Sequence, residues 1–290
     1  MIQGILKSGV SPFAPRTTEA SIYPNIDSTY ATRQYNGDRL VIPTNAHTLG
    51  IKTWASTLAN MQGMAIYDDI LVRMANVSTS TTHYIYRISS AGVLTEVATF
   101  TLSTTGHSNA MQFAPTVEDG QTYPYLYVSD LDGACEVLSI ASDFSVTQVQ
   151  KITVPTGWQV QIGDDGFIWA IAGGGTALRF IKYRRVAVSE GNITLTSSDI
   201  LEDISVNDKF DSASYTFQGS KFKFGKAWLP IGTTGTTQKR ALFVFDLAQQ
   251  RTAANIDLTS LGNVEFEDVD FWDGAAIIAC YSAATYILRF

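Results

Sequence analysis

The chain has 290 residues, of which 45% are hydrophobic and only 16% charged, with a formal net charge of −7. That length supports one large core in a single domain, and an acidic balance with no basic stripe argues against a nucleic-acid partner. No stretch approaches the roughly 18 apolar residues of a membrane span, and residues 1–8 lack the long apolar core of a signal peptide, so the expected location is a virion, or the cytoplasm before assembly.

Residues 1–36 fit no repeating strand pattern. Pro12, Pro15 and Pro24 and scattered Ser and Thr mark an extended N-terminal arm. Such an arm is either a disordered tail or an anchor that orders on a partner. From residue 37 to 290 the pattern is short alternating strands broken by Gly, Asp, Ser and Thr, with almost no helical periodicity.

The first unit opens at Gln62-Gly63 with a strand over 64–67. A turn at Asp68-Asp69 follows, then strands from 70, over 83–88 and over 93–102. The second unit opens at Asn109 and continues with strands over 125–128, 135–140 and 146–154. The third opens at Gln159, turns at Asp164-Asp165-Gly166 and runs on through 167–170. The fourth opens at Gln218-Gly219, with strands at 227–229 and 241–246. The fifth opens at Glu267-Asp268, turns at Asp273-Gly274 and continues over 275–280.

The polar openers Gln62, Asn109, Gln159, Gln218 and Glu267 stand 47, 50, 59 and 49 residues apart. Four short strands need about that length, which is the period of a propeller blade. A two-sheet sandwich gives no reason for a recurring polar opener. The expected fold is therefore all-β, a five-bladed β-propeller with an extended N-terminal arm. The last unit has only three strands before the chain stops. A strand from 39–43 or from 49–54 is expected to complete it and remove an open edge.

Gln62-Gly63-Met64-Ala65-Ile66, His107-Ser108-Asn109 with Phe113, and Tyr123 to Ser129 followed by Cys135 resemble a group of uncharacterised β-propeller proteins of gut bacteria and their phages. The resemblance is clearest over 61–154. It implies the propeller fold and no particular activity. Members of that group carry a secretion signal, which residues 1–8 do not match.

The five openers are expected at one mouth of the central axis, where inner strands converge. There they either satisfy backbone groups or form a polar ligand pocket, with His107 at its rim. A glycoside hydrolase needs two carboxyl groups about 5–10 Å apart. Among the openers only Glu267 is an acid. Strand alternation puts its neighbour Asp268 on the opposite face, and Asp68, Asp69, Asp164, Asp165 and Asp273 occupy turns that favour Asp for backbone reasons.

Other motifs are weaker. His47, His83 and His107 are scattered, and Cys135 and Cys280 lack zinc spacing, so no metal or cofactor is expected. Asp130-Leu131-Asp132-Gly133 has no downstream Glu to complete a calcium loop. Gly173-Gly174-Gly175 precedes no helix. Lys182, Arg184 and Arg185 read as a solvated strand edge. Trp158 and Trp272 are candidates for stacking on a sugar.

The polar surface, rich in Thr, Ser, Gln and Asn, suits flat hydrogen-bonded contacts. The leading expectation is a non-enzymatic structural protein, a phage virion component such as a tail, fibre or capsid-decorating protein, with other proteins of an assembly as partners. The alternatives are a glycan-binding propeller and a glycoside hydrolase-like enzyme working at the axial mouth.

Overall fold

The computed structural model describes residues 41–42, 52–54, 61–77, 80–102, 109–130, 132–173, 177–206, 217–232, 240–272, 275–281 and 285–288. Two short strands come first, β1 (Val41–Ile42) and β2 (Lys52–Trp54). The first sheet then runs in chain order through β3 (Met61–Tyr67), β4 (Ile70–Val77), β5 (Ser80–Ile88) and β6 (Leu94–Thr101). The second holds β7 (Met111–Phe113), β8 (Leu126–Asp130), β9 (Ala134–Ile140) and β10 (Val146–Thr153).

The third sheet begins with β11 (Gln159–Ile162), β12 (Ile168–Ala172) and β13 (Arg179–Tyr183). The chain then leaves to place β14 (Ile193–Thr194) parallel on β10 of the second sheet, and returns with β15 (Ile200–Ser205). This excursion lies within the interval from Gln159 to Gln218, the longest between openers. The fourth sheet comprises β16 (Lys221–Lys223), β17 (Lys226–Ile231), β18 (Ala241–Asp246) and β19 (Arg251–Asp257), with β1 added parallel to β19.

The last run, β20 (Phe266–Trp272), β21 (Ala275–Cys280) and β22 (Thr285–Leu288), has three strands. The N-terminal β2 pairs antiparallel with β22, so Lys52–Trp54, from the expected 49–54, supplies the missing outer strand, while Val41–Ile42, from 39–43, joins the fourth sheet instead. The arrangement is all-β and propeller-like. The expectation of five blades is corrected: four are found, and the remaining sheet is a composite in which β2, from the N-terminal part of the chain, pairs with the last run of strands.

Apolar side chains fill the spaces between sheets rather than one central core. Tyr67, Val72 and Phe113 pack between the first and second sheets, and Val137, Val160 and Ile181 between the second and third. Between the third and fourth, Phe222 stacks on Trp169 at 4.9 Å and meets Phe180 edge-on at 5.8 Å. Trp228 and Val269 join the fourth to the composite sheet. Ile277 and Ala279 pack on Met64 and Ile66 of the first. Each large apolar side chain buried this way contributes about 1.5–3 kcal/mol. No helix of the described residues is long and apolar enough to cross a membrane.

Candidate functional site

The inner strands β3, β7, β11, β16 and β20 bring polar side chains to a common axis. Asn109, two residues before β7, donates from Nδ2 to Glu267 Oε2 at 3.2 Å and to Gln218 Oε1 at 3.4 Å. Gln218 donates from Nε2 to Glu265 Oε1 at 2.9 Å. Gln159 donates to the Gln218 carbonyl and accepts from Ser220 Oγ at 2.7 Å. Four of the five openers thus form one bonded cluster. Gln62, on β3, makes no hydrogen bond to it. His107 lies outside the described residues, as does His47.

Below this cluster the axis is filled. Lys221 Nζ donates to the Met64 carbonyl at 2.7 Å, to the Met111 carbonyl, and to Asp268 Oδ2 at 2.9 Å. It therefore ties the fourth sheet to the first, the second and the composite one. Asp268 also accepts from the Met64 amide at 2.9 Å, and Asp270 accepts from the Ile66 amide at 2.7 Å and pairs with Lys223. Gln112 reaches across to bond both polar groups of the Phe222 backbone. These four charged side chains are at most 6% exposed.

Alternation predicts Asp268 on the opposite face from Glu267, and the structure corrects this. The register of β20 against β21 slips between Phe266 and Asp268. This bulge gives Glu267 an axial position next to Asp268, instead of passing that position to Phe266, which packs into the apolar core. A bulge re-aims one side chain without disturbing the rest of the strand. Burial, with the charges of Glu265 and Asp268, pushes the Glu267 carboxyl up to about 8. Burial also pushes Asp268 up, to about 7, against the opposing pull of Lys221.

Sequence reading missed Lys221, Lys223 and Arg73 altogether, because lysine and arginine are ordinarily surface residues. Arg73 is buried where the first sheet meets the composite one and donates to Thr285 Oγ1. A signal for the lysines was available. Lys221–Asp268 and Lys223–Asp270 are both 47 residues apart, the same interval that separates Gln62 from Asn109.

The remaining motifs have structural partners. Lys182 pairs with Asp165 at 3.0 Å and lies over the Phe167 ring; Arg184 bonds Glu190 and Asp199, each at 2.9 Å. Asp130 ends β8, and Gly133, just before β9, takes φ of +76°. Trp158 is half-buried on Phe217 with ring centroids 5.3 Å apart, and its indole donates to the Gly173 carbonyl. Trp272 is half-buried against the first sheet's core. Cys135 and Cys280 are free and buried, and burial raises both thiols well above their ordinary range. Among the described residues no three His, Cys, Asp or Glu side chains gather as a metal site.

No protein-family model matches the sequence, and no curated protein matches it. Solved structures do resemble it. The tail fiber of Staphylococcus aureus phage P68 superposes with a TM-score of 0.54 at 11% identity, over 86% of this chain and 54% of that one. The exo-beta-1,3-galactanase of Phanerochaete chrysosporium gives a TM-score of 0.47 at 10% identity, over 81% of this chain and 64% of the enzyme. The chain thus spans about half the tail fiber's length. At 11% identity, what the chain shares with the tail fiber is the fold.

Proposed function

We propose that this chain is a structural component of a phage particle, of the tail-fibre kind, that binds other particle proteins. The observation that carries the reading is the superposition on the tail fiber of phage P68 across 86% of the chain. The axis supports it. Its charges are engaged in holding sheets together, which suits a rigid body that presents surfaces. In this reading the composite fifth sheet closes the ring, and residues 1–36 are the arm that anchors it.

The test is mass spectrometry and immunogold microscopy of density-purified particles. The chain is expected at fixed stoichiometry, and a version lacking residues 1–36 is expected to fold and stay off the particle. Finding the chain only in the particle-free fraction would overturn the proposal.

Glycan binding at the axial mouth is the second reading. It is favoured by the half-buried Trp158–Phe217 pair adjoining Gln159 and Gln218, since aromatic faces beside amides suit sugars. A glycan array with no signal, or one unchanged by Gln62→Ala plus Gln218→Ala, removes it.

A further inference from the structure

Going outward along the axis, β16 and β20 repeat one arrangement and then break it. Lys223 meets Asp270, and Lys221 meets Asp268. Two residues before Lys221, just ahead of β16, stands Gly219. The acid at that level is Glu267, whose backbone carbonyl approaches Gly219. The outermost layer therefore repeats the carboxyl group without the ammonium.

Its other members repeat as well. Lys221 places its ammonium on the carbonyls of Met64 and Met111. Two residues outward on those segments stand Gln62 and Asn109. Both are only 3% exposed, and neither Gln62 Oε1 nor Asn109 Oδ1 receives a hydrogen bond. Leaving such an acceptor buried and unpaired is destabilising. Of the amide donors nearby, those of Asn109, Gln218 and Gln159 are already engaged, Asn109 with Glu267 and Gln218, Gln218 with Glu265, and Gln159 with the Gln218 carbonyl. Once Glu267 is ionised, the layer presents more acceptors than its own donors satisfy.

The chain cannot supply that donor from position 219. A Cβ there would lie 2.2 Å from the Glu267 carbonyl oxygen and 2.5 Å from that of Asn109. We propose that the outer layer receives the ammonium of a lysine side chain from a partner protein, lying along the axis as Lys221 does one layer below. Gln218 and Glu265 beside the layer are half-buried, and the alkyl chain would enter past them. This rests on the reading that the chain works within an assembly.

An ammonium binds best once Glu267 is ionised. The titratable groups around Glu267 are Glu265, Asp268, which Lys221 partly neutralises, and the Cys280 thiol of the adjoining strand. Burial holds the Glu267 proton until about pH 8. Affinity should therefore rise with pH, by up to about tenfold per unit below that point.

The probe is n-butylammonium, a lysine side-chain mimic, added to the full chain and followed by thermal shift and by NMR titration. The expected result is saturable binding, stronger near pH 8 than near pH 6. Binding should be lost in Glu267→Gln and weakened in Gln218→Ala, which guards against a folding failure of the first variant. No response to n-butylammonium, or an equal response to n-butanol or to sodium, would overturn the site. Tighter binding of glucosamine than of n-butylammonium would overturn the lysine carrier. The probe needs no particle, so its failure is distinguishable from absence of the chain in purified virions.

Discussion

Replacing Lys221 by Met keeps much of the side chain's bulk and removes its ammonium. Three bonds disappear together, to the Met64 carbonyl, the Met111 carbonyl and Asp268, in a place with no exposure to water. Removing one member of a buried ion pair costs about 3–5 kcal/mol, because the other charge is left uncompensated. In a domain of this size each kcal/mol moves Tm by about 2–4 °C, so the midpoint should fall by about 6–20 °C. Asp268→Asn should cost less, since an amide can still accept from the Met64 amide. The double variant should fall short of the sum of the singles by about 0.5–3 kcal/mol. Urea unfolding followed by circular dichroism measures all four corners of the cycle. A Lys221→Met loss below about 1 kcal/mol, or strict additivity, would refute the idea that this ammonium clamps three sheets.

Glu267 should make stability fall with rising pH. Its folded pKa is raised, so the native state keeps a proton that the unfolded chain releases. The stabilisation is complete below the carboxyl's ordinary range and lost as pH rises through about 8, at up to about 1.4 kcal/mol per unit. Glu267→Gln should flatten that slope, leaving the part due to Asp268, and an unchanged slope of Tm against pH would refute the assignment. His83 behaves oppositely. It is buried and stacked on Phe100 at 4.6 Å, neither ring nitrogen has a hydrogen bond, and burial lowers its pKa to about 3. Stability should decline as pH drops below about 6.5, and His83→Phe should remove this acid sensitivity while matching or exceeding the parent's Tm at neutral pH. Gly219→Ala should cost several kcal/mol because two backbone carbonyls must move. Gly225→Ala, with φ of +67° and open space, should cost about 1 kcal/mol. Equal losses in urea melts would contradict the close packing at Gly219.

The openers could be picked out because each stands in or shortly before an inner strand, and four of the five meet at the axis. Turns such as Asp68-Asp69, where Asp68 takes φ of +49°, were legible because few residues tolerate that backbone. The excursion that carries β14 onto β10 was not, since a two-residue parallel strand has no periodicity of its own. The bulge at Glu267 leaves a mark of its own. Phe-Glu-Asp-Val-Asp-Phe sets two polar residues side by side at Glu-Asp, where pairing with β21 shows the slip. Lys-Phe-Lys and Asp-Val-Asp each look solvent-facing by themselves. Their meaning lies in being one blade period apart.

The axial pairs also decide which sheet neighbours which. The clusters between sheets are built largely from Ile, Val, Leu and Ala, and such surfaces discriminate weakly among partners of similar volume. The axis discriminates strongly. Only with β20 beside both β16 and β3 do Asp268 and Asp270 each obtain a lysine and a backbone amide. Any other order leaves a buried charge alone, at a cost of several kcal/mol. A buried ion pair often adds little net stability over an apolar one, so its value here is selective. The composite sheet has the greatest need of such selection, since its outer strand comes from the far end of the chain. Two aspartates on its inner strand tie it to the first and fourth sheets.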